Sequence, residues 1–137
     1  MDLNLVDTLN DVVISKRIPI LGICLGMQLF FGGSDEGEGE GIGLIPGRVR
    51  QLDAPVVPHM GWNDVAEVGD PLFAGLGGGL AAYFAHSYRC DPVDSAIVIG
   101  WTEYAGDRMA AAVRWKRSWG VQFHPEKSSR GGLKLVA

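Results

Sequence analysis

The spacing of apolar positions changes character along the chain. Leu5, Val6, Leu9, Val12 and Val13 recur at helical intervals with Asp, Asn and Lys on the other face, which predicts an amphipathic opening helix. Ile18-Pro19-Ile20-Leu21-Gly22-Ile23 is apolar without alternation, as in a strand covered on both faces. Leu25 to Phe31 is again apolar and rich in helix formers, and Gly32-Gly33 should stop that helix. Helix, buried strand, tight turn and helix follow one another as in α/β proteins with parallel strands. Ser34 to Gly43 alternates acidic residues with glycine and reads as a surface loop.

Further on the predicted strands are short: Gly47–Leu52, Pro55–His59, Leu80–His86, Ala96–Trp101, Met109–Trp115 and Trp119–His124. Turn signals separate them at Ile45-Pro46-Gly47, Gly69-Asp70-Pro71, Gly77-Gly78-Gly79 and Cys90-Asp91-Pro92. A final helix from Gly131 is weakly patterned. With neither repeat nor linker, residues 1–137 read as one α/β domain with an open, mixed, mainly parallel sheet flanked by helices.

Composition narrows the function classes. With 47% hydrophobic residues in 137, the chain can bury one core. Its 20 glycines have no Gly-X-Y period, so they point to turns and close approaches rather than to collagen. The net charge of −4 sits in the run Asp35, Glu36, Glu38 and Glu40, because acids and bases balance elsewhere. No basic face is left for nucleic acid or anionic lipid. No apolar run reaches the ~18 residues of a membrane span, and Met1-Asp2-Leu3-Asn4 does not resemble a signal peptide, so a soluble, cytoplasmic protein is expected.

Gly22-Ile23-Cys24-Leu25-Gly26 places a cysteine between two glycines at a strand-to-helix turn. Such a nucleophile elbow lifts the reactive group above the sheet and sets it at a helix N-terminus, which favours thiolate. The Leu25 N–H would face a substrate carbonyl oxygen as an oxyanion donor. The plain alternative for Cys24 is a small buried hydrophobe. Cys90 lacks glycine flanks and reads as a bystander.

A thiol nucleophile needs a proton shuttle, and the chain has His59, His86 and His124. His124 closes a strand-like segment before Pro125, and Glu126 lies two residues on, where extended backbone puts both on one face. A carboxylate beside the imidazole fixes its tautomer and stabilises its charged form. A solvated histidine beside a surface glutamate is the alternative. The three histidines lack the spacing of a metal site, and neither metal nor other cofactor is expected.

Pro19-Ile20-Leu21-Gly22-Ile23-Cys24-Leu25-Gly26-Met27-Gln28 and Gly120-Val121-Gln122-Phe123-His124-Pro125-Glu126-Lys127-Ser128 resemble the class I (triad) glutamine amidotransferases. Gly43-Leu44-Ile45-Pro46-Gly47, Pro58-His59-Met60-Gly61-Trp62-Asn63 and Tyr83-Phe84-Ala85-His86-Ser87-Tyr88 resemble in particular the glutaminase subunits of imidazole glycerol phosphate synthase. The resemblance implies a flavodoxin-like α/β fold and hydrolysis of L-glutamine through a thioester on Cys24, with His124 and Glu126 completing the triad. It also implies substrate contacts at Gly26, Gln28, Glu36, His86, Ser87 and Tyr88. Ammonia would pass to a (β/α)₈ cyclase subunit in histidine biosynthesis, and Pro58, His59, Met60, Trp62 and Lys127 match positions at that contact. Met60 and Trp62 also suit an interface as large apolar residues, or else a core.

Members of the family begin with further strands and a Pro-Gly-x-Gly loop carrying a second oxyanion donor, and nothing in residues 1–18 matches these. The resemblance therefore implies a partial, N-terminally truncated domain. The expectation is a weak or inactive glutaminase unless another polypeptide completes the sheet. Two alternatives stand beside it: a non-catalytic partner-binding module, and the amidotransferase domain of another synthase.

Overall fold

The computed structural model describes residues 18–34, 43–66, 69–74, 79–128 and 132. The opening helix, the acidic loop with Glu36 and the final helix from Gly131 lie outside these residues, apart from Ser34, Gly43 and Gly132 at their margins.

Ile20–Ile23 forms β1, and the chain turns at Cys24 into a single helical turn, α1, at Leu25–Gln28. Strands follow at Phe31–Ser34 (β2), Ile45–Gln51 (β3), His59–Ala66 (β4), Gly79–His86 (β5) and Tyr88–Pro92 (β6). Val98–Tyr104 (β7), Asp107–Trp115 (β8) and Ser118–Val121 (β9) complete the described strands. Six of them form one sheet in the order β1-β9-β8-β7-β4-β5, and β2-β3-β6 form a second.

The mixed sheet of an α/β protein is present, and β1 pairs with β9 in parallel as expected, but β1 is not covered on both faces: Leu21 is exposed and only Gly22 is fully buried. The balance among the described strands differs from the expected mainly parallel sheet. Besides β1–β9 only β2–β3 is parallel, while β3–β6, β4–β5, β4–β7, β7–β8 and β8–β9 are antiparallel. The cause is short connections: Ala105-Gly106 and Lys116-Arg117 join neighbouring strands as hairpins, with positive φ at Ala105, Gly106 and Lys116.

Several boundaries also move. The expected helix to Phe31 ends at Gln28: Phe30 lies in a turn and Phe31 begins β2 opposite Ile45, with both rings buried in one core cluster. Phe31 thereby joins Ile45 and Val49 in a core cluster. The expected strand Pro55–His59 is irregular until His59, since Pro55 and Pro58 have no N–H for a ladder. Cys90-Asp91-Pro92 is not a turn but part of β6, with Cys90 opposite Val49. Trp119–His124 leaves the sheet after Val121.

Two clusters make up the core. One contains Val65, Phe73, Ala82, Phe84, Ala111, Ala112, Val121 and Phe123, and the other Met27, Phe30, Phe31, Ile45, Val49, Cys90, Ala110 and Val113. β8 feeds both, which accounts for its unbroken apolar run from Met109 to Val113. The large sheet is curled: the chain leaving β9 reaches β5, where the His124 N–H donates to the Tyr83 carbonyl at 2.8 Å. This curl brings the end of β1 against the end of β5.

Candidate active site

The turn after β1 is built by close packing. Gly22 on β1 lies opposite Gly120 on β9, and α1 rests on this pair. A Cβ on Gly22 would come within 2.7 Å of the Gly26 backbone, and one on Gly120 within 2.7 Å of Met27 Cγ. The helix can therefore sit down only where the strands have no side chains. Gly26 does not share this constraint, since a Cβ there would meet nothing within 4 Å. The flanking-glycine argument thus holds for Gly22 and not for Gly26.

Cys24 takes the strained conformation that such a turn demands, with φ 54° and ψ −105°. Its N–H donates to the Val121 carbonyl at 2.7 Å, which ties the turn to β9. The thiol lies 3.7 Å from the Ala85 carbonyl oxygen and 3.7 Å from Gln122 Nε2. Leu25 begins α1, so its N–H has no partner within the helix, and the residue lines the same opening. That opening is a cavity of about 310 Å³ lined by Cys24, Leu25, Gln28, Pro58, Met60, Ala85, His86, Ser87 and Tyr88. The curl of the sheet thus assembles residues from three separate sequence blocks around one thiol.

His124 and Glu126 meet as the sequence suggests, with Nδ1 2.8 Å from Oε1, although a 3₁₀ turn at Pro125–Lys127 rather than extended backbone brings them together. Burial alone would raise the Glu126 pKa, but its own backbone amide, the His124 imidazole and the Lys127 charge outweigh this and hold the carboxyl below its usual range. The pair is anchored by Ser128, whose hydroxyl accepts from the Tyr83 N–H at 2.9 Å and donates to the His124 carbonyl at 2.6 Å. His124 also lies within electrostatic reach of His86 in the cavity wall, whose pKa it helps to lower.

Burial changes the reading of two histidines. His59 is not part of an exposed surface: it is 3% exposed, stacked between Phe84 (ring centroids 4.7 Å apart) and Tyr104 (4.1 Å). Alternation along β4 sends His59 inward and Met60 (64% exposed) and Trp62 (56%) outward, which excludes the core alternative for those two. His86 lines the cavity, but both ring nitrogens are taken. Nδ1 donates to the Tyr88 carbonyl at 2.7 Å, so Nε2 accepts from His59 Nδ1 at 3.0 Å, a directionality that the carbonyl imposes. Burial, then the neighbouring His86 charge, pushes His59 down to about 4; burial also lowers His86, against the hydrogen bond to Tyr88. The two rings are thus a neutral, mutually bonded pair. The pairing register His59↔His86 across β4 and β5 produced it, and nothing in either local sequence signals it.

Cys90 packs in the second core cluster, and burial, then Asp91 and Cys24, pushes its thiol up. It is inert packing. Sequence reasoning missed Gln122 and Ser128, both buried polar residues inside the block that carries His124. A polar residue between Val121 and Phe123 was the available signal. Among the described residues, no helix is long and apolar enough to cross a membrane.

A curled mixed sheet with a strained cysteine elbow and a His–Glu pair reached from the far strand defines the class: an α/β protein arranged for cysteine-based acyl transfer. The chain belongs to the glutamine amidotransferase class-I family, whose model matches residues 6–135. It is 47% identical over 127 residues to the imidazole glycerol phosphate synthase subunit HisH of Moorella thermoacetica, covering 90% of this chain and 60% of that protein. The HisH subunit of Pyrococcus furiosus is 45% identical, with 90% of this chain and 64% of that protein covered. The chain therefore spans about 60% of the length of such relatives. A solved glutamine amidotransferase of Thermotoga maritima superposes with a TM-score of 0.67 at 22% identity over 98% of this chain and 52% of that one. A putative GMP synthase subunit of Thermoplasma acidophilum gives 0.68 at 18% identity, over 98% of this chain and 61% of that one, and these two likenesses bear on the fold alone.

Proposed function

We propose that this chain forms a single domain, residues 1–137, that hydrolyses L-glutamine to glutamate and ammonia, with Cys24 as nucleophile and His124 and Glu126 as its proton-transfer pair. The reading of one domain rests on β8, which contributes to both core clusters. The observation that carries the chemical reading is the strained Cys24 at the mouth of the cavity shared with Gln28, His86, Ser87 and Tyr88.

In this reading His124 takes the thiol proton, and the thiolate attacks the side-chain amide carbon to form a C–S bond and an oxyanion facing the Leu25 N–H. Collapse of the oxyanion expels ammonia, which takes its proton from His124 and leaves a thioester. Water, deprotonated by His124, then attacks the thioester; the C–S bond breaks, and glutamate and the thiol are restored. Glu126 keeps the imidazole in one tautomer and stabilises its charged form. Gln28, Ser87 and Tyr88, and Glu36 outside the described residues, bind the amino-acid head group. Gly26 contributes backbone at the turn, and His86 contributes its ring face, its nitrogens being committed.

Exposed Met60 and Trp62, with Pro58 and with Lys127 over the Tyr83 ring at 5.8 Å, form the surface next to the cavity, and Pro58 and Met60 also line it. This continuity supports docking of a (β/α)₈ cyclase subunit there, with ammonia used for imidazole glycerol phosphate synthesis in histidine biosynthesis. The test is glutamate release by wild type and Cys24→Ala with the cyclase subunit of the same organism present, together with labelling by a diazoketone analogue of glutamine. We expect labelling at Cys24 and loss of at least about 10³-fold in turnover in the variant. Equal turnover in both proteins overturns the proposal.

A further inference from the structure

We propose that Gln122 is a positioning residue for Cys24, its side-chain amide holding the sulfur in place and stabilising the thiolate. The inference rests on Cys24 being the nucleophile. Gln122 follows β9, is 0% exposed, and is held by its own N–H donating to the Ala111 carbonyl at 2.8 Å. Its side chain spans from α1 to the thiol.

The direction of the amide follows from a chain of donors and acceptors. The Tyr88 carbonyl can only accept, and Gln28 Nε2 reaches it at 3.4 Å. The same Nε2 reaches Gln122 at 3.4 Å, so the atom it meets there is the acceptor Oε1. That leaves Gln122 Nε2 as the atom 3.7 Å from Cys24 Sγ, a distance suited to an N–H donor and a sulfur acceptor. On its other side the sulfur faces the Ala85 carbonyl oxygen, also an acceptor.

The two neighbours therefore act on different protonation states. The thiol can donate to Ala85, but once the proton leaves, that carbonyl oxygen opposes the negative sulfur. Gln122 then donates to a full charge, where a hydrogen bond is about twice as strong as between neutral groups. Water cannot replace it at a fully buried amide. Among the described residues, the charged and titratable groups nearest Cys24 are His86 on β5, Cys90 and Tyr88 on β6, and, next to His86, His124 with Glu126 and Lys127 on the turn after β9; α1 adds none. None of them lies between Gln122 and the sulfur in the chain of contacts described.

The test is the pH profile of Cys24 alkylation by iodoacetamide, read by mass spectrometry, in wild type, Gln122→Met and Gln122→Glu. Methionine fills a similar volume without the donor, and glutamate sets an anion against the sulfur. We expect the midpoint to move up by about one pH unit in Gln122→Met, a tenfold slower reaction near neutrality, and further in Gln122→Glu. A merely structural role would slow alkylation at all pH values without moving the midpoint; superimposable midpoints overturn the inference. If wild type is not labelled at Cys24 by the diazoketone analogue, the nucleophile reading itself falls. That result is distinct from a reactive Cys24 whose profile ignores Gln122.

Should both variants fail to fold, the wild type decides. Gln28, Gln51 and Gln122 are the only glutamines, so their side-chain amides can be followed by ¹⁵N NMR. The Gln122 signal is expected to shift with the same midpoint as alkylation, and an invariant Gln122 signal overturns the inference.

Discussion

Ser128→Ala tests how the proton-transfer pair is held. Ser128 is 1% exposed, and its hydroxyl joins two backbones: it accepts from the Tyr83 N–H at 2.9 Å and donates to the His124 carbonyl at 2.6 Å. The His124 carbonyl keeps its bond from the Lys127 N–H at 3.0 Å, so it loses one of two donors. The Tyr83 N–H loses its described acceptor, in a space that a buried methyl closes to water. Two hydrogen bonds at about 1 kcal/mol each, with some penalty for the stranded donor, amount to about 2–3 kcal/mol. For a chain of this size that corresponds to a fall in Tm of about 6–12 °C.

The assay is thermal unfolding of wild type and Ser128→Ala at pH 7, followed by glutaminase turnover at a temperature where both are folded. Because the lost bonds fix the backbone of His124 and not of Cys24, turnover should fall, while iodoacetamide labelling of Cys24 above its alkylation midpoint, where the thiolate needs no base, should keep its rate. A Tm within about 2 °C of wild type refutes the energetic reasoning. Slowed Cys24 labelling above that midpoint in a folded variant refutes the assignment of Ser128 to the histidine end of the site.

Two further predictions concern packing and pH. Gly22→Ala should cost more stability than Gly120→Ala, about 3 kcal/mol or more against about 1–2, because the first meets the backbone of α1 and the second a flexible methionine side chain; urea midpoints measured side by side check the order, and a reversed order contradicts the packing. His59 is held at about 4 in the folded state against about 6.5 when unfolded, so the folded state binds fewer protons. Stability from this group is complete above about pH 6.5 and declines down to about pH 4, with His86 adding to the same slope. His59→Phe should keep the ring stack and flatten the decline, and an unchanged slope in urea titrations at pH 7, 5.5 and 4.5 contradicts the neutral-pair assignment.

The sequence by itself determined what is local. The unbroken apolar run before Cys24 marked a strand, though not its exposed Leu21, and Gly22 marked the close approach of a helix, because steric exclusion acts between residues near in sequence. His124 and Glu126 were legible as a pair because two residues suffice to bring their side chains together. The surface pattern of Met60 and Trp62 was legible in part, though His59 between Pro58 and Met60 had to be assigned to the core by strand alternation. The tertiary structure alone decided which distant segments meet. Curling of the sheet sets Ala85 and Gln122 against the Cys24 sulfur, positions 61 and 98 residues away. The β4–β5 register alone pairs His59 with His86. Such contacts depend on strand order, register and curl, which follow from the burial of the whole core and have no signature in any short stretch of chain.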